Sequence, residues 1–145
     1  MKKLLSIKTT AKWSFSLVFV DVDNFKCIND TYGHGAGDEC LITISNILKQ
    51  YARSTDVVTR LGGDEFAIIF SETDVNGLLA IAERMREGIA NSPQCYQATI
   101  SVGGIVVHDQ PDLTLILKAV DNLLLQAKRG KNIVVLSDFY NVPLL

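Results

Sequence analysis

Apolar residues along this chain follow two alternating rhythms. Phe15 to Val22 is rich in β-branched and aromatic residues, which predicts a strand. Phe25 to Tyr32 predicts a short helix closed by the glycine-rich "YGHGAGD". From Asp38 onward Leu41, Ile44, Leu48 and Tyr51 recur at three and four residues, one apolar stripe on a helix. "DVVTRL" and "EFAIIF" flank Gly62-Gly63-Asp64, so two strands joined by a short glycine turn, read as type I′, predict a β-hairpin. Leu78, Ile81, Met85 and Ile89 mark a further helix, and "YQATISVGGIVV" a further strand. Leu113, Ile116, Val120, Leu124 and Ala127 give the last helix, and "NIVVL" the last strand. A hairpin among strand–helix units predicts an α+β fold with a mostly antiparallel central sheet flanked by helices.

Composition narrows the setting. The chain has 145 residues, 48% of them apolar, with no repeat or linker marking a second domain, so one domain with a substantial core is expected. A net charge of −2 gives no global basic field for nucleic acid or anionic lipid, and any polyanion must be held locally. Cys27, Cys40 and Cys95 match no metal or redox spacing and are expected to be reduced core thiols. "MKKLLSIKTTAKWSF" has neither an export signal nor a span, which predicts a cytoplasmic protein without membrane or nucleic-acid partners. Trp13 reads as core or surface fill, and His34 and His108 have no second ligand nearby in sequence. Glu83, Arg86 and Glu87 read as a solvated helix face.

The candidate chemistry lies at two strand ends. The first strand ends in Asp21-Val22-Asp23, and the hairpin tip carries Asp64 and Glu65. Hard divalent cations such as Mg²⁺ take carboxylate and carbonyl oxygens together with substrate phosphates. If the tip lies beside the strand end, Asp21 and Asp64 converge, and Gly62 and Gly63 leave bare backbone for a nucleotide to approach.

"DVDNFKCINDTYGHGAGD" followed by "RLGGDEF" resembles the catalytic domain of the GGDEF family, the diguanylate cyclases that make cyclic di-GMP from two GTP molecules. The resemblance runs from about Ser16 to Asn132 and implies a palm whose hairpin carries the signature. It implies Mg²⁺ or Mn²⁺ held by Asp21, the Val22 carbonyl and Asp64. Asp64 would also accept the proton of the attacking 3′-hydroxyl, and Glu65 would support the metals. It assigns Asn29 and Asp38 to the guanine edge, Phe25 to the base pocket and Lys26 to the neighbourhood of the phosphates. Lys128 and Lys131 would grip the terminal phosphates, and a second, antiparallel copy would bring the other GTP. The residue types suit nucleotidyl transfer, in which positioning and charge neutralisation do most of the catalysis.

Arg53-Ser54-Thr55-Asp56 stands with five residues between Asp56 and Gly62, the spacing at which the family carries a product-inhibition site. Arginine offers a fork for phosphate or the guanine edge, and Arg84 matches a further arginine of that site. The bland alternative is a helix–strand corner. The family's Asp-x-Leu-Thr-Gly-Leu-x-Asn-Arg leader is not in "MKKLLSIKTTAKW", Leu125 replaces a usual tyrosine, and "AKRGKN" is one residue shorter than the usual motif. Intact Asp21, Asp64 and Glu65 favour an enzyme. The missing leader favours the alternative, a non-catalytic receptor for cyclic di-GMP or GTP that signals through a partner.

Overall fold

The computed structural model describes residues 14–108 and 112–140, the side chain of Tyr140 excepted; Trp13 and the expected absence of a leader lie outside them. The strands are β1 Ser14–Val22, β2 Val57–Gly62, β3 Glu65–Ser71, β4 Ile100–His108 and β5 Val134–Tyr140. The helices are α1 Phe25–Tyr32, α2 His34–Tyr51, α3 Val75–Ala90 and α4 Leu113–Gly130. The five strands form one sheet in the order β2-β3-β1-β4-β5. All pairings are antiparallel except β4 with β5, which are joined by α4 and run parallel.

Alternation along β1 divides the core. Val18, Val20 and Val22 pack with Ile28 of α1, Ile44 and Leu48 of α2, Phe66 and Ile68 of β3, and Leu78 and Ile89 of α3. Phe15 and Leu17 point to the other face, against Ile105, Val107 and the Ile116–Val120 stripe of α4. With helices on both faces the strand has no solvent side, which explains why apolar residues stand on both faces and, between Phe15 and Val22, only Ser16 and Asp21 interrupt them. α3 and α4 each begin at an aspartate whose carboxylate accepts a backbone amide, Asp74 from Gly77 at 2.7 Å and Asp112 from Leu115 at 3.2 Å. The close seating of α4 depends on Gly103, where a Cβ would strike the backbone of Leu124.

Four expectations are corrected. The glycine-rich segment closes α1 at Gly33 alone, with φ 92°, and the rest of it is already helix, so α2 begins at His34 rather than near Asp38. Gly37 sits inside that helix because a Cβ there would collide with the side-chain oxygen of Asn29 on α1. β4 starts at Ile100 rather than Tyr96, because Tyr96 and Gln97 are left-handed after a 3-10 turn over Pro93–Cys95. The hairpin turn has positive φ at Gly63 (53°) but not at Asp64, the type II′ pattern rather than I′. Cys27 is exposed, because α1 buries only Ile28 fully, whereas Cys40 and Cys95 are buried thiols. The Cys40 thiol is held far above the ordinary value by its hydrogen bond with Cys95 and by burial.

Candidate active site

β3 and β4 run antiparallel to β1 on either side of it, so their amino ends flank the carboxyl end of β1 at the middle of the sheet. Asp21 is paired directly with Glu65. The Val22 amide donates to the Asp64 carbonyl at 3.1 Å, so the two motifs meet through the backbone itself. A residue the sequence did not single out fixes the tip. Arg60 donates from Nε and one terminal nitrogen to the Gly63 carbonyl, at 2.9 and 2.6 Å. That fork holds the peptide joining Gly63 to Asp64.

α4 supplies the positive charge. Lys128 Nζ donates to Asp21 Oδ2 at 3.1 Å, and Lys131 Nζ donates to Asn24 Oδ1 at 2.7 Å. Both lysines therefore reach the site, Lys128 onto the aspartate and Lys131 onto the start of α1. Burial pushes the Asp21 carboxyl above its ordinary value; the hydrogen bond from Lys128 pulls it down, and the charges of Asp64 and Glu65 push it up again. Lys128 is raised in turn, chiefly by its hydrogen bond to Asp21. Asp64 is half-buried and Glu65 exposed, and both sit at the solvent end of β3. Among the described residues no three metal-binding side chains form a ready-made cage.

On the side away from α4, the Asn29 side-chain oxygen lies against Gly37, the residue before Asp38, so Asn29 and Asp38 are brought together. Phe25 touches the same glycine, while Lys26 is exposed on α1. Asp38 opens onto a cleft of about 490 Å³ shared with Leu41, Ser45, Lys49, Arg60 and Phe66.

Arg53 and Asp56 lie apart from this site, at the corner between α2 and β2. The Asp56 carboxylate is fully covered and accepts from the Arg53 amide at 2.7 Å and the Ser71 amide at 3.0 Å. The Arg53 guanidinium meets Asp56, the Ser71 carbonyl and, at 3.1 Å, the Thr73 hydroxyl. The corner is thus a built structural clasp, and its arginine, half exposed, borders a cleft of about 380 Å³. Arg84 is exposed on α3 and makes no hydrogen bond or ion pair with either residue. Its neighbour Arg86 is not a solvated residue. It is largely buried against Glu83 and reaches Asn132 at 3.0 Å.

The family model described as "Diguanylate cyclase, GGDEF domain" matches residues 1–132. The chain belongs to the GGDEF family. It is 34% identical over 139 residues to the probable diguanylate cyclase DgcT of Escherichia coli, covering 90% of this chain and 31% of that protein. The chain spans about a third of the length of the curated relatives it matches. The active GGEEF domain of a Vibrio cholerae diguanylate cyclase superposes with a TM-score of 0.78 at 31% identity, covering 85% of this chain and 82% of that one. The GGDEF domain of DgcB from Caulobacter crescentus, solved with c-di-GMP, also gives 0.78, at 26% identity over 86% of this chain and 78% of that one. Among the described residues no helix is long and apolar enough to cross a membrane.

Proposed function

We propose that this chain is a diguanylate cyclase domain that condenses two GTP molecules into cyclic di-GMP and releases pyrophosphate, acting in the cytoplasm. One observation carries the reading. The backbone bond between Val22 and Asp64 sets the carboxylates of two separate motifs, with Lys128, at one strand end. The oxygens of Asp21, Asp64 and the Val22 carbonyl suit a hard divalent cation, Mg²⁺ or Mn²⁺, whose remaining ligands would be substrate phosphates and water. The two neighbouring carboxylates that raise the Asp21 pKa, Asp64 and Glu65, form with Asp21 a donor set such a cation relieves. When bound, that ion would polarise the α-phosphate and lower the pKa of the attacking hydroxyl.

The chain's own residues carry the rest. Asp38 and Asn29 hydrogen-bond the guanine edge, Phe25 lines its pocket, and the bare backbone of Gly62 and Gly63 admits the phosphates, with Lys26 nearby. Asp64 takes the proton of the 3′-hydroxyl, and Glu65 would help hold the cation. Lys128 and Lys131 neutralise the departing pyrophosphate. Each domain holds one GTP, and an antiparallel second copy presents the other. Arg53, held by Asp56, takes cyclic di-GMP at the corner cleft as a product brake, and Arg84 on α3 would add a contact from outside that cleft.

The test is incubation with GTP and Mg²⁺ over a rising range of protein concentrations, with cyclic di-GMP and pyrophosphate measured together. Both products in a ratio of one to two support the reading. GTP bound but never converted means a receptor instead.

A further inference from the structure

Asp21 and Asp23 stand two apart at one strand end and look alike in sequence, yet their carboxylates face different partners. Asp23 is 7% exposed. Its Oδ1 accepts from the Ser101 hydroxyl at 2.6 Å, and its Oδ2 accepts from the Thr99 hydroxyl at 2.7 Å and the Asn132 amide at 2.8 Å. Both oxygens are therefore engaged by donors from β4, the segment before it and the turn after α4. Buried carboxylates are tolerated when satisfied in this way.

The turn it holds is strained. Lys131 and Asn132 have φ of 59° and 53°, a left-handed pair with no glycine in it, which L side chains disfavour. Asn132 is fixed from both sides, its amide by Asp23 and its side-chain oxygen by Arg86 at 3.0 Å. Lys131 closes α4 through its amide to the Ala127 carbonyl at 2.9 Å. Strain persists where the surroundings over-determine it. Here it directs Lys131 to Asn24 at 2.7 Å and sets the last turn of α4, from which Lys128 reaches Asp21.

We propose that Asp23 is a positioning residue and not a metal ligand: its clasp on the Lys131–Asn132 turn holds Lys128 and Lys131 where the terminal phosphates of a nucleotide lie. This rests on the reading of the site as one for GTP. Asp23 then tunes affinity for a triphosphate over a monophosphate without touching either.

Asp23→Asn keeps the size but removes the charge and one acceptor. With 3′-deoxy-GTP, which lacks the attacking hydroxyl, calorimetry in Mg²⁺ should show affinity falling roughly tenfold, the effect of losing one charge-assisted contact. GMP should bind as it does to the parent. Hydrogen exchange at the Asn132 amide should quicken. Adding Asn132→Gly, which accepts left-handed φ freely and keeps the amide, should recover much of the triphosphate affinity. Manganese binding, followed by electron paramagnetic resonance, should survive in Asp23→Asn and fall in Asp21→Asn. Equal losses for GMP and 3′-deoxy-GTP, or loss of manganese in Asp23→Asn, overturn the proposal. So does an Asn132 amide whose exchange is unchanged, a reading that needs no nucleotide. A parent that binds no guanine nucleotide sinks the GTP reading instead, and the exchange measurement still decides the clasp. If Asp23→Asn fails to fold, Thr99→Val removes one donor to the same carboxylate and must give the same order of effects, or the proposal fails.

Discussion

Lys128 Nζ lies 3.1 Å from Asp21 Oδ2, a contact between residues 107 apart in the chain. It exists because α4 returns along the sheet toward the carboxyl end of β1, seated tightly at Gly103. The same end collects Asp64 and Glu65 from the start of β3 and Asn24 ahead of α1. One strand terminus thus gathers four chain segments, negative groups at its centre and lysines at its edge.

Asp64 lies at the turn of the hairpin, half-buried and outside both hydrophobic clusters. Asp64→Asn should therefore leave the thermal melt within about a degree or two of the parent, as surface changes generally do. Product formation should fall about a thousandfold or more, since metal stabilisation of the transition state contributes several kcal/mol. Circular dichroism melts and product chromatography on the same preparation check both halves. A variant that cyclises GTP at the parental rate removes Asp64 from the chemistry.

Asp21 gives the opposite balance of fold and function. Its carboxyl is raised in the folded protein, first by burial and then by Asp64 and Glu65, against the pull of Lys128. The folded state thus binds this proton more tightly than the unfolded chain, whose carboxyl titrates near 3.9. Stability contributed by the group is greatest in acid and is lost as pH rises from about 3.9 through the raised folded value, so the full penalty stands at neutral pH. Asp21→Asn should melt higher than the parent at pH 7, with the difference closing toward pH 4, while losing activity. Mg²⁺ with GTP should raise the melting temperature of the parent and not of the variant. Melts across that pH range decide it, and a variant less stable at pH 7 would mean the Lys128 pair outweighs burial.

Patterning made the elements readable because each has one demand. β1 is buried on both faces and reads as a run rich in β-branched and aromatic residues; α4 buries one stripe and reads as a period of three and four. The convergence of Asp21 with Asp64 followed from where the two motifs end their strands. What sequence hid depends on packing between elements. Glycine lowers helix propensity by about 1 kcal/mol per residue, so "YGHGAGD" reads as the close of a helix until the contact between Asn29 and Gly37 shows why a glycine stands within α2. Tyr96 and Gln97 carry strand-like neighbours but left-handed backbone, set by the 3-10 turn before them. Arg60 looks like one exposed residue of an edge strand, and its hold on Gly63 is visible only once the bulge between Arg60 and Gly62 bends the hairpin. The Arg53–Asp56 pair carried two readings, and the corner clasp is now plain, whereas its use as a product site is a matter for binding experiments.

Arg60→Lys tests the hairpin tip. Lysine keeps the charge but cannot fork onto the Gly63 carbonyl. kcat should drop on the order of tenfold, as expected when a reacting group loses its positioning, with KM for GTP changed far less and the melt nearly unaltered. Steady-state kinetics with GTP separates the two parameters, and a pure KM effect would place Arg60 in substrate binding instead.

On the proposed reaction, in which each domain holds one of two GTP molecules, activity per molecule should rise with protein concentration. Rates measured over a hundredfold dilution should bend upward and level where the pair saturates. A rate per molecule that stays flat throughout would mean a stable dimer or a reaction within one site, and sedimentation at the same concentrations tells these apart.

The corner cleft gives the last test, and the structure chooses the variant. Asp56 cannot be used cleanly, because its covered carboxylate accepts two backbone amides, and removing it strands both and loosens the joint between α2, β2 and β3. Arg53 is half exposed, and its contacts to Asp56, Ser71 and Thr73 involve partners that have other bonds or reach water. Arg53→Ala should therefore lower stability by about 1 kcal/mol, typical of a lost hydrogen bond, and leave the initial cyclase rate intact. If cyclic di-GMP docks at this corner, the guanidinium must turn from the Ser71 carbonyl to the ligand, and its loss should weaken binding by 1.5–3 kcal/mol, about ten- to a hundredfold. Product inhibition should ease by the same factor. Calorimetry with cyclic di-GMP and progress curves of GTP consumption read the two quantities separately. If Arg53→Ala binds cyclic di-GMP as tightly as the parent does, the arginine serves only the corner, and the protein has no product brake at this place.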